Sequence, residues 1–454
     1  MRLLLVHAAL DHRLDRFPSR PPLGVAYLAA AAKEAGHDCR VADEQFEPEL
    51  PALIDAFRPQ VVGFSVTTWA APRVLQEAAA IRRQFPGIVI LAGGPHATAL
   101  PRDLLEGGVD VVVRGYGERI LVELLEALER HRPLGTVAGV AYLAEGQLVQ
   151  TAPAAEPDLN DLPPADYAQF DLARYRWCSV SSSRGCAVGC TFCSDSYLFG
   201  RKVSLRRPAH FVEELARLQA DYGASDFYVI DEQFTLSEPR VLEICDLIGR
   251  TGLKINWTVN SRVDCVSAEM LARMRQAGCR SIAFGVESGS EQILNAIHKR
   301  ITPAQVERAV ALAKQAGLRV KTSWIVGLPG PMSEQLKSID LMEKTQPNHI
   351  DVFWLTLYPG TPFWDAPEKY GIHFDPRDVP TTAHAKLSSP SYYYDYLTKA
   401  EVLEVARQMT ERMSKLGYRE AELEENDYRP DSRFIATYLR YLSAPDFSQE
   451  LSKG

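Results

Sequence analysis

Cys186, Cys190 and Cys193 place three thiols on one short loop, in the run SSSRGCAVGCTFC over residues 181–193. The spacing C-x₃-C-x₂-C is close enough to hold three irons of a single cluster. A 4Fe–4S cube normally takes four cysteines, so three protein ligands leave one iron open to another molecule. Gly185 and Gly189 let the loop curl, and Phe192 stands where it can shield one side of the metal site. A disulfide framework does not suit a chain of this length with only eight cysteines and no secretory leader at its start. Zinc would ask for a second C-x₂-C or a nearby Cys/His pair, and the next cysteine is Cys245. Cys178 lies on the expected strand ahead of the loop, off any fourth-ligand spacing. Cys39, Cys245, Cys265 and Cys279 read as small buried apolar groups.

These thiols need a scaffold, and the chain alternates strand-like and helical runs almost throughout. In residues 1–149, apolar runs at 3–6, 39–42, 61–66, 88–92 and 109–114 alternate with helical patterns at 22–35, 50–57, 71–84 and 120–130. Such alternation predicts an α/β fold with a doubly wound, Rossmann-like parallel sheet and a binding crevice at the carboxyl ends of its strands. Residues 150–170, rich in proline and acid, read as a linker. Alternation resumes over 171–362 with six strands, the first directly ahead of the cysteine loop, which predicts a partial (β/α)₆ barrel. Residues 363–454 read as a mostly helical closing segment with two or three helices, a tyrosine-rich run at 392–396 and an acidic stretch at 420–427. Net charge is −8 without a basic stripe, which disfavours nucleic acid, and no apolar run is long enough to span a bilayer. Reduced thiols and an oxygen-sensitive cluster point to the cytoplasm.

The cysteine loop and the turns that follow it resemble the radical S-adenosylmethionine (SAM) superfamily. There the open iron chelates SAM, and an electron from the cluster cleaves it to a 5′-deoxyadenosyl radical that removes a hydrogen atom from a substrate. The resemblance implies a 4Fe–4S cluster, SAM, a small-molecule substrate, and an external electron donor of the flavodoxin or ferredoxin type. After the second barrel strand, Asp231-Glu232-Gln233-Phe234 falls where relatives place acids near the SAM amino group. Gly285-Val286-Glu287-Ser288-Gly289-Ser290 matches G-x-E-S-G-S, which puts Glu287 and Ser288 near the ribose and methionine. The backbone at Gly327 would line the adenine. Arg262, at another strand end, has two readings: a planar partner for the SAM carboxylate, or a surface salt bridge.

Residues 1–149 resemble the cobalamin-binding domain found ahead of many radical SAM barrels, through VGFSVTT, GGPHAT and RGYGE. That likeness implies a corrinoid over the sheet edge, its nucleotide tail near Ser65, Thr67 and Gly94. The D-x-H-x-x-G signature of an axial histidine is absent, since Asp11 and His12 are adjacent. Bound cobalamin and an empty inherited scaffold therefore both stay open. His96 reads first as a hydrogen-bonding turn residue and second as a corrin contact. Two outcomes follow for the substrate radical. The acidic balance and missing histidine favour elimination, such as loss of water from a 1,2-diol of an aminosugar, or rearrangement, with Glu232 or a C-terminal tyrosine as general acid/base. The alternative is cobalamin-dependent C-methylation. A non-catalytic corrinoid carrier is the remote third.

Overall fold

The computed structural model describes residues 1–8, 20–46, 49–375, 392–420 and 434–437. Asp11, His12 and nearly all of the acidic stretch 420–427 lie outside the described residues.

The first sheet is built from β1 (Arg2–His7), β2 (Asp38–Asp43), β3 (Val61–Ser65), β4 (Val89–Gly93) and β5 (Val111–Val113), with a hairpin of β6 (Val140–Ala144) and β7 (Gln147–Gln150) added at one edge. The order is β2-β1-β3-β4-β5-β6-β7, the first five strands parallel and the hairpin antiparallel. Leu3–Val6 are buried because helices cover both faces of a parallel sheet, so the strand is a continuous apolar run. The order of strand addition reverses here, since β2 lies on one side of β1 and β3 on the other. That switch point opens a crevice at the carboxyl ends, beside the helix Leu23–Glu34.

The second sheet starts at β8 (Cys178–Val180). A short antiparallel pair, β9 (Ser183–Arg184) with β10 (Ser204–Leu205), brackets the cysteine loop. Then come β11 (Asp226–Val229), β12 (Asn256–Ser261), β13 (Cys279–Glu287), β14 (Arg319–Val326) and β15 (His349–Trp354), each separated from the next by at least one helix. β8 pairs with β11, and each later strand pairs in parallel with its predecessor, giving the expected partial barrel. Helix starts are capped where the sequence offers serine or threonine: Ser267, Ser290 and Thr302 each accept a backbone N–H from the first turn.

Two regions differ from expectation. The closing segment is not only helical. After the antiparallel pair β16 (Ile372–Phe374) and β17 (Tyr392–Tyr394), one helix runs Lys399–Lys415, and then β18 (Arg419–Glu420) and β19 (Phe434–Thr437) join the barrel sheet, β19 in parallel beside β15. The aromatic and β-branched run of β19 suits a strand better than a helix. The linker is also no loose tether. Asp166 donates its N–H to the carbonyl of Ala26 at 3.1 Å and accepts Lys33 Nζ at 2.7 Å. Tyr167 and Phe170, with Tyr175 just beyond, are buried with Leu23, Ala26 and Tyr27 in the core that continues into the barrel. Proline-rich composition hid the aromatics that pin it.

Tyr167 donates its phenol to the buried carbonyl of Ser179, on β8, at 2.6 Å. Tyr167→Phe should cost about 1–3 kcal/mol by leaving that acceptor unpaired. Urea unfolding measures it, and a midpoint unchanged from the wild type would show that the contact carries no stability.

Candidate active site

The cysteine loop leaves the barrel through Ser181, Ser182 and Ser183, which carry too little bulk to fix its direction by packing. A single buried carboxylate does it instead. Asp231 accepts Ser182 N–H at 2.7 Å, Ser182 Oγ at 2.5 Å and Ser183 Oγ at 2.6 Å. Arg240 ties the same segment from the other side, donating to Ser182 O at 2.7 Å. Asp231 is thereby spent on the scaffold and does not stand free for the SAM amino group.

Within the loop both glycines have left-handed backbones, φ 88° at Gly185 and 76° at Gly189. A Cβ at Gly185 would meet the carbonyl of Lys202 at 2.3 Å, so no other residue fits there. Ser196 donates to Cys186 O at 3.1 Å and Tyr197 to Gly189 O at 3.0 Å, locking the curl. Gln233 Nε2 lies 2.9 Å from Cys186 Sγ. Phe192 packs against the barrel core.

The thiols suit a cluster. Burial, with the Asp195 carboxylate next, pushes the Cys193 thiol up to about 12, against the backbone N–H groups of Asp195 and Ser196 that point at its sulfur. Cys190 is also raised by burial, and the Lys299 ammonium opposes this. Donors and a cation aimed at these sulfurs are what a metal-bound thiolate needs. Among the described residues no three His, Cys, Asp or Glu side chains converge on one ion.

The other strand ends divide into groups that remain available and groups already engaged. Burial raises the Glu232 carboxyl to about 7, helped by Asp195 and Asp231 and opposed by N–H groups of its own residue and Gly185. Its Oε2 is buried without a hydrogen-bond partner. Glu287 sits on an irregularity between β13 and β14 with φ 72°, and Lys299 Nζ donates to its Oε1 at 2.8 Å. His298 and Arg300, flanking that lysine, also have positive φ, of 55° and 57°. Arg262 is buried rather than on the surface: it grips Asp264 with two bonds of 2.9 Å and donates to Lys299 O at 3.0 Å. Ser288 is turned into the protein, accepting Ser290 N–H at 3.1 Å. The carbonyl of Gly327 accepts the Tyr394 phenol at 2.9 Å, and a Cβ there would meet Tyr392 Oη at 2.1 Å. Tyr392 and Tyr394 are therefore packing residues closing the barrel, while Tyr393 and Tyr396 are exposed.

Between the two sheets lies a cavity of about 270 Å³. It follows the switch point along Leu5, Gly63, Ser65 and Gly94 and is walled on the barrel side by Ser181 and Arg184. Gly24 and Gly115 border it with nothing within 4 Å of a would-be Cβ, so side chains there would occupy its space. Ser65 and Gly94 border this cavity. Thr67 is exposed and His96 is buried near Asp103, its imidazole pKa lowered by burial; neither borders the cavity. The apolar, glycine-lined wall fits the tail of a corrinoid. Across the cavity, Arg184 Nη1 pairs with Glu118 Oε1 at 2.6 Å, and Tyr116 packs on Phe199 with ring centroids 5.1 Å apart. The RGYGE turn of the first domain therefore touches the chain just before and just after the three cysteines. Gln233, Tyr116 and Glu118 escaped the sequence reading as individuals, although each sits inside a motif that had been singled out.

A family profile described as the B12 binding domain matches residues 18–125, and one described as the Radical SAM superfamily matches residues 180–342. An uncharacterised methyltransferase of Pyrococcus horikoshii is 32% identical over 380 residues, covering 80% of this chain and 83% of that protein. The anaerobic magnesium-protoporphyrin IX monomethyl ester cyclase of Cereibacter sphaeroides is 30% identical over 392 residues, 80% of this chain and 63% of that protein. Among solved structures, the radical SAM methyltransferase TsrM of Kitasatospora setae, with cobalamin and a 4Fe–4S cluster bound, matches with a TM-score of 0.70 at 22% identity, over 84% of this chain and 82% of that chain. This last likeness concerns the fold. No helix among the described residues is long and apolar enough to cross a membrane.

A carboxyl raised to about 7 binds its proton more tightly folded than unfolded, so it makes stability fall as pH rises from about 4.5 to about 7. Glu232→Gln should flatten that fall, and urea midpoints of the cofactor-free protein at about pH 5 and about pH 7.5 should draw together relative to the wild type. An unaltered pH slope would assign the proton affinity to another group.

Proposed function

This chain belongs to the radical SAM superfamily and carries a B12-binding domain ahead of its barrel, and from that membership we propose that it is a cobalamin-dependent radical SAM methyltransferase acting on a small molecule. The observation that carries the reading is the interdomain cavity, which runs from the switch point of the first sheet to Arg184, two residues from Cys186. A methyl carrier seated there would face the centre that generates the radical. The methyltransferase name of the Pyrococcus relative supports the same outcome. Elimination, favoured from charge balance and the missing axial histidine, gives way: the cavity is mostly apolar, and its crevice is formed without that histidine.

When bound, the cluster supplies the electron that cleaves SAM, and the corrinoid supplies the methyl group. The chain's own residues hold and seal. Cys186, Cys190 and Cys193 take three irons, with Gln233 and the N–H groups of Asp195 and Ser196 directed at the sulfurs. Glu232, just beyond β11, and Glu287, at the end of β13, are the strand-end acids that would face SAM. Glu232, titrating near neutrality, can keep or release a proton at its unpaired Oε2. Ser65, Gly94, Gly24 and Gly115 would cradle a corrinoid seated in the cavity they border. The Tyr116–Phe199 contact closes one side of the cavity, and the buried tyrosines of β17 pack at Gly327.

The test is anaerobic reconstitution with iron and sulfide, then reductant, hydroxocobalamin and SAM bearing a deuterated methyl group. Corrin absorbance should stay with the protein through gel filtration, and both 5′-deoxyadenosine and S-adenosylhomocysteine should form. Cys186→Ala should reduce 5′-deoxyadenosine to background. Formation of 5′-deoxyadenosine with no retained corrinoid and no demethylated SAM would overturn methyl transfer and restore elimination.

A further inference from the structure

Two short segments meet at the cysteine loop, residues 186–202 and residues 297–300. Ile297 O accepts Thr191 N–H at 3.1 Å, and His298 O lies 4.0 Å from Cys190 Sγ. Within these segments the exposed Arg and Lys side chains are Arg201, Lys202 and Arg300, and no acidic side chain is exposed. Asp195, their single acid, is half-buried, and Lys299 turns inward to Glu287. The whole chain carries −8, so this cationic surface runs against its overall charge. Among the described residues no carboxylate pairs with Arg201, Lys202 or Arg300. Elsewhere, exposed cations such as Arg102, Lys344 and Arg407 are matched by acids.

The backbone displays these charges. His298 and Arg300 have φ 55° and 57°, where residues other than glycine seldom sit, and both are exposed while Lys299 between them is buried. Arg262 fixes the turn by donating to Lys299 O at 3.0 Å. Strained backbone of this kind gathers at functional sites. On the other side, Arg201 donates to Val188 O at 3.0 Å, and its guanidinium fills the space that a Cβ at Gly189 would need. Arg201 therefore covers Gly189, and the His298 carbonyl touches Cys190. A protein resting on this surface comes within one residue of a cluster ligand. Resting on the 4Fe–4S reading of the loop and not on methyl transfer, we propose that Arg201, Lys202 and Arg300 form the docking surface for an acidic one-electron carrier protein. In the docked complex the carrier is oxidised by one electron and the cluster is reduced by one, with no bond made or broken. Complementary charge speeds such an encounter and fades as salt screens it.

The experiment uses the anaerobically reconstituted full chain, with an acidic flavodoxin and an acidic ferredoxin as probes. Binding is measured by calorimetry at about 50 mM and about 300 mM salt, and electron transfer by stopped-flow absorbance of the reduced carrier. Arg201→Gln keeps a donor for Val188 O, and Arg300→Asn suits the left-handed backbone. Together they should weaken binding about tenfold at the lower salt, slow electron transfer about as much, and flatten the salt dependence. Arg250→Gln removes one cation from the end of the helix Glu238–Thr251, at the amino ends of the strands, and should change neither measurement. Illumination with deazaflavin reduces the cluster without a partner protein, and its spin signal should be the same in wild type and variants. Each single variant carries the test if the double variant loses its iron. Wild-type binding and salt dependence in the variants would overturn the docking surface, as would an equal loss in Arg250→Gln. A wild type that holds its cluster yet binds neither carrier overturns it too. A wild type without the spin signal under illumination overturns the cluster reading itself.

Discussion

The carboxylate of Asp231 is the constraint on which the rest of the site depends. Three serines with almost no side-chain bulk must carry the chain out of the barrel in one fixed direction. Hydrogen bonds to Ser182 and Ser183, between 2.5 and 2.7 Å, do this where packing cannot. The next residues are Arg184, which reaches the first domain, and Gly185, which starts the wrap around the metal site. A displacement at Asp231 would therefore move the ion pair with Glu118 and the position of Cys186 together. Burial makes this arrangement stiff, since a carboxylate 1% exposed cannot exchange its partners for water.

A second layer of charge surrounds the loop in compensated form. Lys299 is matched by Glu287, and Arg262 by Asp264. For Lys299, burial lowers the ammonium pKa, but the carboxylate of Glu287 and the neighbouring Cys190 outweigh that and keep it raised. The site can thus hold positive charge close to sulfur without leaving a bare buried ion. Left-handed backbone at Glu287, His298 and Arg300 gathers in the same corner. Strain of this kind persists where surrounding contacts over-determine the geometry, and here they converge on the cysteines and the strand ends beside them.

Much of this was legible in the sequence, and the part that was not has a common cause. Cysteine spacing, strand–helix alternation and polar strand ends are local patterns, and local patterns led to the two sheets, the switch point and the metal loop. Side-chain direction is not local. Asp231 and Glu232 are adjacent, yet one turns towards the serines and the other keeps an unpaired oxygen, a difference set by the bend after β11 rather than by the local sequence pattern. Ser288 and Gly327 fall on turns of the expected type, but partners from residues 290 and 394 take up their polar groups. The docking of Tyr167 and the pairing of β19 with β15 join segments far apart in sequence, and no short window contains both sides of either contact.

The pairing of β19 with β15 also bears on how the molecule assembles. β1 to β7 pair within the first 150 residues, so that sheet can close on itself early in synthesis. The barrel cannot. Between β15 and its outer neighbour the chain makes a hairpin and a long helix and returns only at Phe434. Until then the edge of β15 is an open row of hydrogen-bonding groups, at the opposite side of the sheet from β8 and the cysteine loop that follows it. Completion of the sheet is a late, non-local event, and the protection of the barrel's edge waits for the last strand described.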